Sequence, residues 1–159
     1  MRGTKSEVLK WLIDQPDKEY EVKEYHPKRS LTANSYYWSL LGELAGRLRT
    51  SREELHEIML RRYGQYLKDD AGNIICITTE QKTDSRLLGG HYEYDGPFNG
   101  FARYKVIRGS RTYDSREFSI LLDGLISECN ECGVTTLTPN EILRLKGYEQ
   151  TIKSNKHTN

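Results

Sequence analysis

One long helical pattern in the first third of the chain constrains the fold more than any other feature. It places apolar residues along one side of a helix, interrupted by a single amide, at positions 31, 34, 38, 41, 45 and 48. The pattern predicts a helix from Leu31 to about Arg49. Ser51 and Glu54 follow with the spacing of a capping box, which predicts a second helix ending near Tyr63. A helical hairpin is therefore expected.

Shorter patterns along the rest of the chain alternate between helix and strand. They predict a helix over residues 6–15, strands over 20–25, 74–79, 91–94 and 101–107, and helices over 114–132 and 139–146. This arrangement is typical of an α+β protein, in which a small antiparallel sheet is flanked by the helical hairpin and by C-terminal helices. Because 159 residues can bury one core, a single domain is expected over residues 1–150, with a disordered tail over 151–159.

Composition favours a cytoplasmic protein. No apolar run approaches the length of a membrane span and no apolar signal core follows Met1, so neither a membrane partner nor export is expected. The three cysteines are an odd number without a disulfide framework, which favours a reducing compartment. Cys129 and Cys132 have the spacing of a zinc-binding pair, but a second pair of ligands is missing and both lie on the apolar side of their predicted helix. Core packing is therefore favoured for them.

Basic residues are concentrated in two stretches, although the net charge is only +1. The first stretch contains Arg47, Arg49, Arg52, Arg61 and Arg62, and the second contains Arg103, Lys105, Arg108, Arg111 and Arg116. Such clusters either solvate the surface or bind a polyanion, and the sequence leaves both interpretations open. Eleven tyrosines favour the second, because aromatic rings beside arginines stack on unpaired bases. The whole first stretch, together with Arg103 and Lys105, is therefore the candidate DNA-binding set.

Further candidates lie at the start of the first hairpin helix. Lys28 and Arg29 precede the helix, where positive charge and free backbone N–H groups can hold a phosphate, although a simple helix cap has the same sequence. Asn34 lies on the apolar side and needs partners, because an unsatisfied buried amide costs about 1–3 kcal/mol. A hydrogen bond to the backbone near Arg29 is the favoured role for Asn34, and a direct contact to nucleic acid is the alternative.

A stripe of small residues runs along a neighbouring side of the same helix. Its members are Ser35, Ser39, Gly42 and Gly46. Two glycines inside a helix cost about 1 kcal/mol each, so another part of the protein is expected to approach this backbone closely. The second helix of the hairpin is the favoured neighbour, and a dimer interface is the alternative.

The segment Arg29-Ser30-Leu31-Thr32-Ala33-Asn34, followed by Trp38 and Leu41-Gly42, resembles the RSLxxN-x-x-x-W signature of phage NinB (Orf) recombination proteins. A weaker similarity returns at Glu117-Phe118 to Leu122 and at Gly133-Val134. The resemblance implies a homodimeric recombination mediator in the cytoplasm of a phage-infected bacterial cell. It further implies binding to single-stranded DNA beside the host single-strand binding protein, without a cofactor or catalysis. It also supports a phosphate contact near Lys28 and Arg29.

An enzymatic alternative depends on His91, Glu93 and Asp95. On a strand these residues would present an imidazole and two carboxylates on one side, as in the divalent-metal site of a nuclease, with Asp69, Asp70 and Asp84 as possible additional ligands. No known nuclease spacing is evident, and a polar outer strand face has the same pattern. A third hypothesis is a phage protein-interaction factor that blocks a host defence system.

Overall fold

The part of the chain that the computed structural model describes, residues 1–25 and 31–147, combines helices with one antiparallel sheet. Its α-helices are α1 (Lys5–Ile13), α2 (Leu31–Leu48), α3 (Arg52–Tyr63), α4 (Ser115–Glu131) and α5 (Pro139–Leu145). Its strands are β1 (Cys76–Thr79), β2 (His91–Phe98) and β3 (Phe101–Ile107). β3 lies between β1 and β2 and is antiparallel to both. The α+β fold class is thus confirmed, while the predicted tail over 151–159 lies outside the described residues.

Side-chain caps explain where most helices begin. Asp114 and Glu117 form a reciprocal capping box at the start of α4, and Thr138 does the same with Glu141 for α5. The expected box at α3 is only half formed. Ser51 accepts the backbone N–H of Glu54, but the Glu54 carboxylate accepts a hydrogen bond from Thr50 at 2.7 Å. That carboxylate is therefore engaged outside the capping box.

Two strand predictions differ from the structure. The strand expected over 20–25 is not formed, because none of the described strands pairs with that segment. Instead Tyr20 donates a hydrogen bond to the carbonyl of Pro16 at 2.9 Å and packs edge-on against Trp11. The strand expected over 91–94 is twice as long and runs to Phe98. In both cases pairing with a neighbouring strand, rather than local alternation, decides whether the segment is a strand.

The core lies between α2, α3 and α4. Its fully buried side chains include Tyr37 and Leu41 from α2, Leu60 from α3 and Leu125 from α4. Cys129 is also fully buried, and burial raises the pKa of its thiol to about 11. Together with the partial burial of Cys132 against the same cluster, this confirms the predicted packing role of both cysteines.

Tyrosine hydroxyls join the sheet to the helices. Ile107 at the end of β3 enters the helical core directly. Beyond it, the Tyr113 hydroxyl accepts the backbone N–H of Gln65 at 2.8 Å and donates to the carbonyl of Arg108 at 3.0 Å. These contacts satisfy a buried phenol and fix the chain between α3 and the sheet.

No helix among the described residues is long and apolar enough to cross a bilayer.

The stripe of small residues on α2 is mostly open to solvent. Gly42 meets only the side chain of Arg52 at the start of α3, where a Cβ would lie 3.2 Å from Cδ. Around Gly46, beyond the adjacent residues and the backbone of the helix itself, no described atom lies within 4 Å of the same position. The expected neighbour is therefore present at Gly42 and missing at Gly46. Close approach occurs instead at Gly124 in α4, where a Cβ would overlap the ring of Tyr63.

Alanine substitutions at these glycines should have opposite effects. Gly124→Ala forces the Tyr63 ring out of its position and should lower the free energy of unfolding by about 1–3 kcal/mol, as overpacking does. Gly46→Ala, which adds a methyl group in open space on a helix, should raise it by about 0.5–1 kcal/mol. Urea unfolding followed by circular dichroism measures both values. Equal effects for the two variants would contradict the packing described for α3 and α4.

Candidate nucleic-acid interface

The two faces of the sheet have different surroundings. On one face Tyr104 is almost fully buried, and its hydroxyl accepts a hydrogen bond from the backbone N–H of Thr83 and donates one to the carbonyl of Thr83. Cross-strand partners share a face of an antiparallel sheet. The pairs Glu93 with Lys105 and Phe98 with Phe101 therefore place these residues on the opposite face. We call that surface the open sheet face; it carries Tyr66, Glu93, Asp95, Phe98, Phe101, Arg103 and Lys105.

Asp95 holds the two cations of the open sheet face. The register between β2 and β3 shifts between Tyr94 and Gly96, which makes Asp95 the extra residue of a bulge. Its carboxylate lies 2.7 Å from Nη2 of Arg103 and 3.2 Å from Nζ of Lys105. The hydrogen bond from Lys105, together with the charges of Arg103 and Lys105, lowers the pKa of Asp95. Asp95 is therefore ionised at neutral pH and neutralises part of this surface.

Each cation of the open sheet face also lies over an aromatic ring. The Arg103 guanidinium is 4.7 Å from the ring centre of Phe98, and the Lys105 ammonium is 5.5 Å from that of Tyr66. The Nε atom of Arg103 is buried and has no hydrogen-bond partner among the described residues. The surface thus combines two cations, an unsatisfied donor and exposed rings within one short stretch of sheet.

Tyr66 is fixed by its own acid partner. Its hydroxyl donates to the carboxylate of Glu93, and this hydrogen bond raises the pKa of Tyr66 to about 12. Tyr66 therefore remains a neutral hydrogen-bond donor to Glu93 at physiological pH. The ring provides an aromatic surface below Lys105, and the hydroxyl is not available to another ligand.

The arginines of the first basic stretch do not form a single patch. Arg52 and Arg62 lie near opposite ends of α3, about 15 Å apart at 1.5 Å per residue. Arg47 donates to the carbonyl of Cys132 at 2.6 Å, and Arg62 pairs with Glu128 at 2.7 Å, so both have structural partners. Within this stretch, the side chains of three arginines make no hydrogen bond or ion pair with the described residues: Arg49, Arg52 and Arg61.

The candidates around the start of α2 are only partly described. Lys28 and Arg29 lie outside the described residues, as does the backbone to which Asn34 was expected to bond. Asn34 itself is mostly buried, and its Oδ1 atom has no hydrogen-bond partner within the described ranges. The choice between the two roles of Asn34 thus stays a prediction.

Several tyrosines serve the interior and are not available to stack on bases, whereas Tyr20, Tyr25 and Tyr94 are exposed. Tyr37, Tyr104 and Tyr113 are buried, and Tyr36 accepts the backbone N–H of Leu137 through its hydroxyl at 3.0 Å. A phenol joins apolar packing with a polar link between elements, which explains this use. The exposed rings of the open sheet face are phenylalanines instead.

The three residues proposed as metal ligands are held by separate partners. His91 pairs with Glu57 of α3, Glu93 with Tyr66, and Asp95 with Arg103 and Lys105. No group of three or more histidine, cysteine, aspartate or glutamate side chains among the described residues is arranged to hold a metal ion. The alternation of these residues therefore reflects pairing across the sheet and with α3, and it does not support the nuclease hypothesis.

A cleft of about 390 Å³ lies beside His91, between α3 and the loop before β2. Glu53, Glu54, Glu57 and Arg86 line it, and Arg86 is already paired with Asp84 at 2.6 Å and Glu54 at 3.3 Å. Its excess of carboxylates repels phosphate groups. The cleft is therefore unsuited to nucleic acid, which leaves the open sheet face as the better candidate.

The signal that the sequence analysis missed is the dipeptide Asn99-Gly100. Both residues have positive φ, 49° and 81°, as the two central positions of a type I′ turn require. An Asn-Gly pair between two alternating segments is a strong sign of a hairpin. Recognition of this dipeptide would have predicted the hairpin of β2 and β3, with Phe98 and Phe101 next to each other.

Comparisons with known proteins leave the chain without an assigned relative. No family model matches it, and no curated protein and no solved structure is significantly similar to it. The resemblance to NinB proteins therefore remains a prediction that depends on the signature from Arg29 to Trp38.

The pairing of Arg62 predicts a pH dependence of stability. Hydrogen bonds from Tyr63 and Arg62 lower the pKa of Glu128. A lowered folded pKa adds stability above the ordinary glutamate pKa of about 4.3, and this stability is lost as the pH falls through the folded value. Glu128→Gln should therefore lower the free energy of unfolding by about 1 kcal/mol at pH 7, and by much less at pH 3.

The matched control is Glu80→Gln, since Glu80 is exposed and makes no hydrogen bond or ion pair within the described ranges. Urea unfolding of both variants and the parent protein at the two pH values provides the comparison. The same loss at pH 3 and pH 7 for Glu128→Gln would show that ionisation of Glu128 does not contribute.

Proposed function

We propose that this protein binds single-stranded nucleic acid through the open sheet face and does not act as an enzyme. The observation that carries the proposal is the stacking of Arg103 on the exposed ring of Phe98, directly beside Lys105. Proteins that bind unpaired strands combine cations that follow the backbone with rings that stack on bases. Here both kinds of group occur on adjacent strands of one sheet.

Phosphate groups would replace Asp95 as the partner of the two cations. Arg103 and Lys105 are about one-third exposed, so a backbone phosphate can reach both without a change in the sheet. Arg49, Arg52 and Arg61 lie outside this face and lack side-chain partners within the described ranges; they are proposed as further contacts to the nucleic acid. Binding of this kind depends on salt, because each contact releases counterions.

The resemblance to NinB proteins supports a more specific part of the proposal. The protein would act as a phage recombination mediator, as a homodimer beside the host single-strand binding protein, in the cytoplasm of the bacterial host. Arg29 and Asn34 lie in the signature segment and Lys28 directly precedes it, so these three residues belong to this part.

The proposal is tested by fluorescence anisotropy of a labelled single-stranded oligonucleotide at two salt concentrations, with magnesium and with EDTA, followed by a gel of the same samples. Salt-sensitive binding with intact DNA is the expected outcome. Cleavage that requires magnesium would favour a nuclease, and the absence of binding would favour a protein-interaction factor. Sedimentation of the protein at micromolar concentration tests the dimer.

Removal of the two sheet cations should weaken binding. Arg103→Gln with Lys105→Gln should lower affinity about tenfold and reduce the slope of log affinity against log salt by about 1.4, at roughly 0.7 for each lost contact with a single strand. The control is Arg111→Gln with Arg116→Gln, which removes the same charge from two exposed arginines elsewhere. If both pairs weaken binding equally, net charge rather than the open sheet face determines affinity.

Removal of the negative charge of Asp95 should strengthen the binding of nucleic acid. Asp95→Asn leaves the sheet intact but frees Arg103 and Lys105 for phosphate, so affinity and salt dependence should both increase. Glu128→Gln is the matched control, because it frees Arg62 at the far end of α3. If only Glu128→Gln raised the affinity, the binding surface would lie on the helices rather than on the sheet.

A further inference from the structure

We propose that Phe98 and Phe101, at the tip of the hairpin between β2 and β3, are a stacking site for unpaired nucleobases. This inference rests on the proposed function and makes it more specific. The cations of the open sheet face bind the strand through its phosphates, whereas the tip would bind it through the bases. The ligand class is therefore a strand with free bases, rather than any polyanion.

The turn at the tip fixes the position of both rings. Only Asn99 and Gly100 separate Phe98 from Phe101, and their positive φ angles give the tight turn that suits a two-residue hairpin. Phe98 and Phe101 are the last pair of the ladder, so their side chains project from adjacent positions on the same face. The site is thus formed before a ligand arrives, and little conformational entropy is lost when a base binds.

Both rings are exposed although they carry no polar group. Phe98 is 45% exposed and Phe101 is 46% exposed, whereas the third phenylalanine, Phe118, is buried in the core. No ring of the described residues stacks on either of them, and they do not stack on each other. Two flat apolar surfaces are therefore available, and covering them with a planar base removes apolar area from water.

The charge beside the tip favours a nucleobase over an apolar protein segment. The Arg103 guanidinium covers Phe98 on one side, with a ring-centre distance of 4.7 Å, and its Nε–H has no partner among the described residues. A base stacked at the tip carries its own phosphate a few ångströms away, within reach of this guanidinium. A purely apolar segment has no anionic group that could pair with this guanidinium or with the neighbouring Lys105 ammonium.

Two oligomers with the same number of phosphates test the inference, namely a thymidine oligomer and an abasic oligomer that lacks bases. Wild-type protein should bind the thymidine oligomer about ten- to a hundredfold more tightly, which corresponds to stacking of one or two bases. Phe98→Leu with Phe101→Leu should abolish most of this difference, so the ratio of the two affinities, rather than either affinity alone, is the quantity to compare between the variant and the wild type. Tyr94→Leu, an exposed ring on the opposite face of the same hairpin, is the matched control and should retain the difference.

A second measurement needs no variant. An oligonucleotide with 2-aminopurine, whose fluorescence is quenched by stacking, should lose fluorescence when wild-type protein binds. If the protein binds thymidine and abasic oligomers equally and does not quench 2-aminopurine, the stacking site is refuted while the proposed function stands. If neither oligomer binds, the proposed function itself fails. A double variant that binds both oligomers less tightly by the same factor would also overturn the inference.

Discussion

The hydroxyl of Tyr37 is completely buried among the helices, and the arrangement of the rest of the fold depends on how it is satisfied. It lies 2.7 Å from Nδ1 of His56 on the next helix, and Nε2 of His56 lies 3.5 Å from the hydroxyl of Ser110, which follows the last strand. An unsatisfied buried hydroxyl would cost about 1–3 kcal/mol. This series of polar contacts links α2, α3 and the end of the sheet, and so holds the open sheet face in place.

The helices were predictable because their signals are local. Ser51, Asp114 and Thr138 are caps that act within one turn. The apolar stripe predicted the helix α2 but only part of its buried side, because Leu48 is 49% exposed and Tyr37, Leu40 and Leu44 are buried. Strands depend on partners that are distant in sequence. The residues 20–25 alternate as a strand should but pair with none of the described strands, whereas β2 extends to Phe98 because the turn at Asn99 pairs it with β3.

The candidate site was predicted in part for the same reason. Arg103 and Lys105 were identified from their charge and alternation, and the structure places them on an accessible face. Nothing local indicated that Asp95 would reach both of them, because that contact requires the bulge. The density of positive charge in the sequence also placed too many helical arginines in the candidate site. Arg47 and Arg62 have structural partners on α4 or at its end, and only the folded chain reveals these partners.

The bulge at Asp95 has a further consequence for kinetics. The carboxylates of Asp95 and Glu93 balance the formal charges of Arg103 and Lys105 on this face, which weakens the electric field in front of the two cations, and the net charge of +1 adds little at longer range. An anionic ligand thus approaches this sheet without strong electrostatic steering. We expect association rate constants in the unsteered range, about 10⁵–10⁶ M⁻¹s⁻¹. Differences between ligands would then be expressed in how long each remains bound.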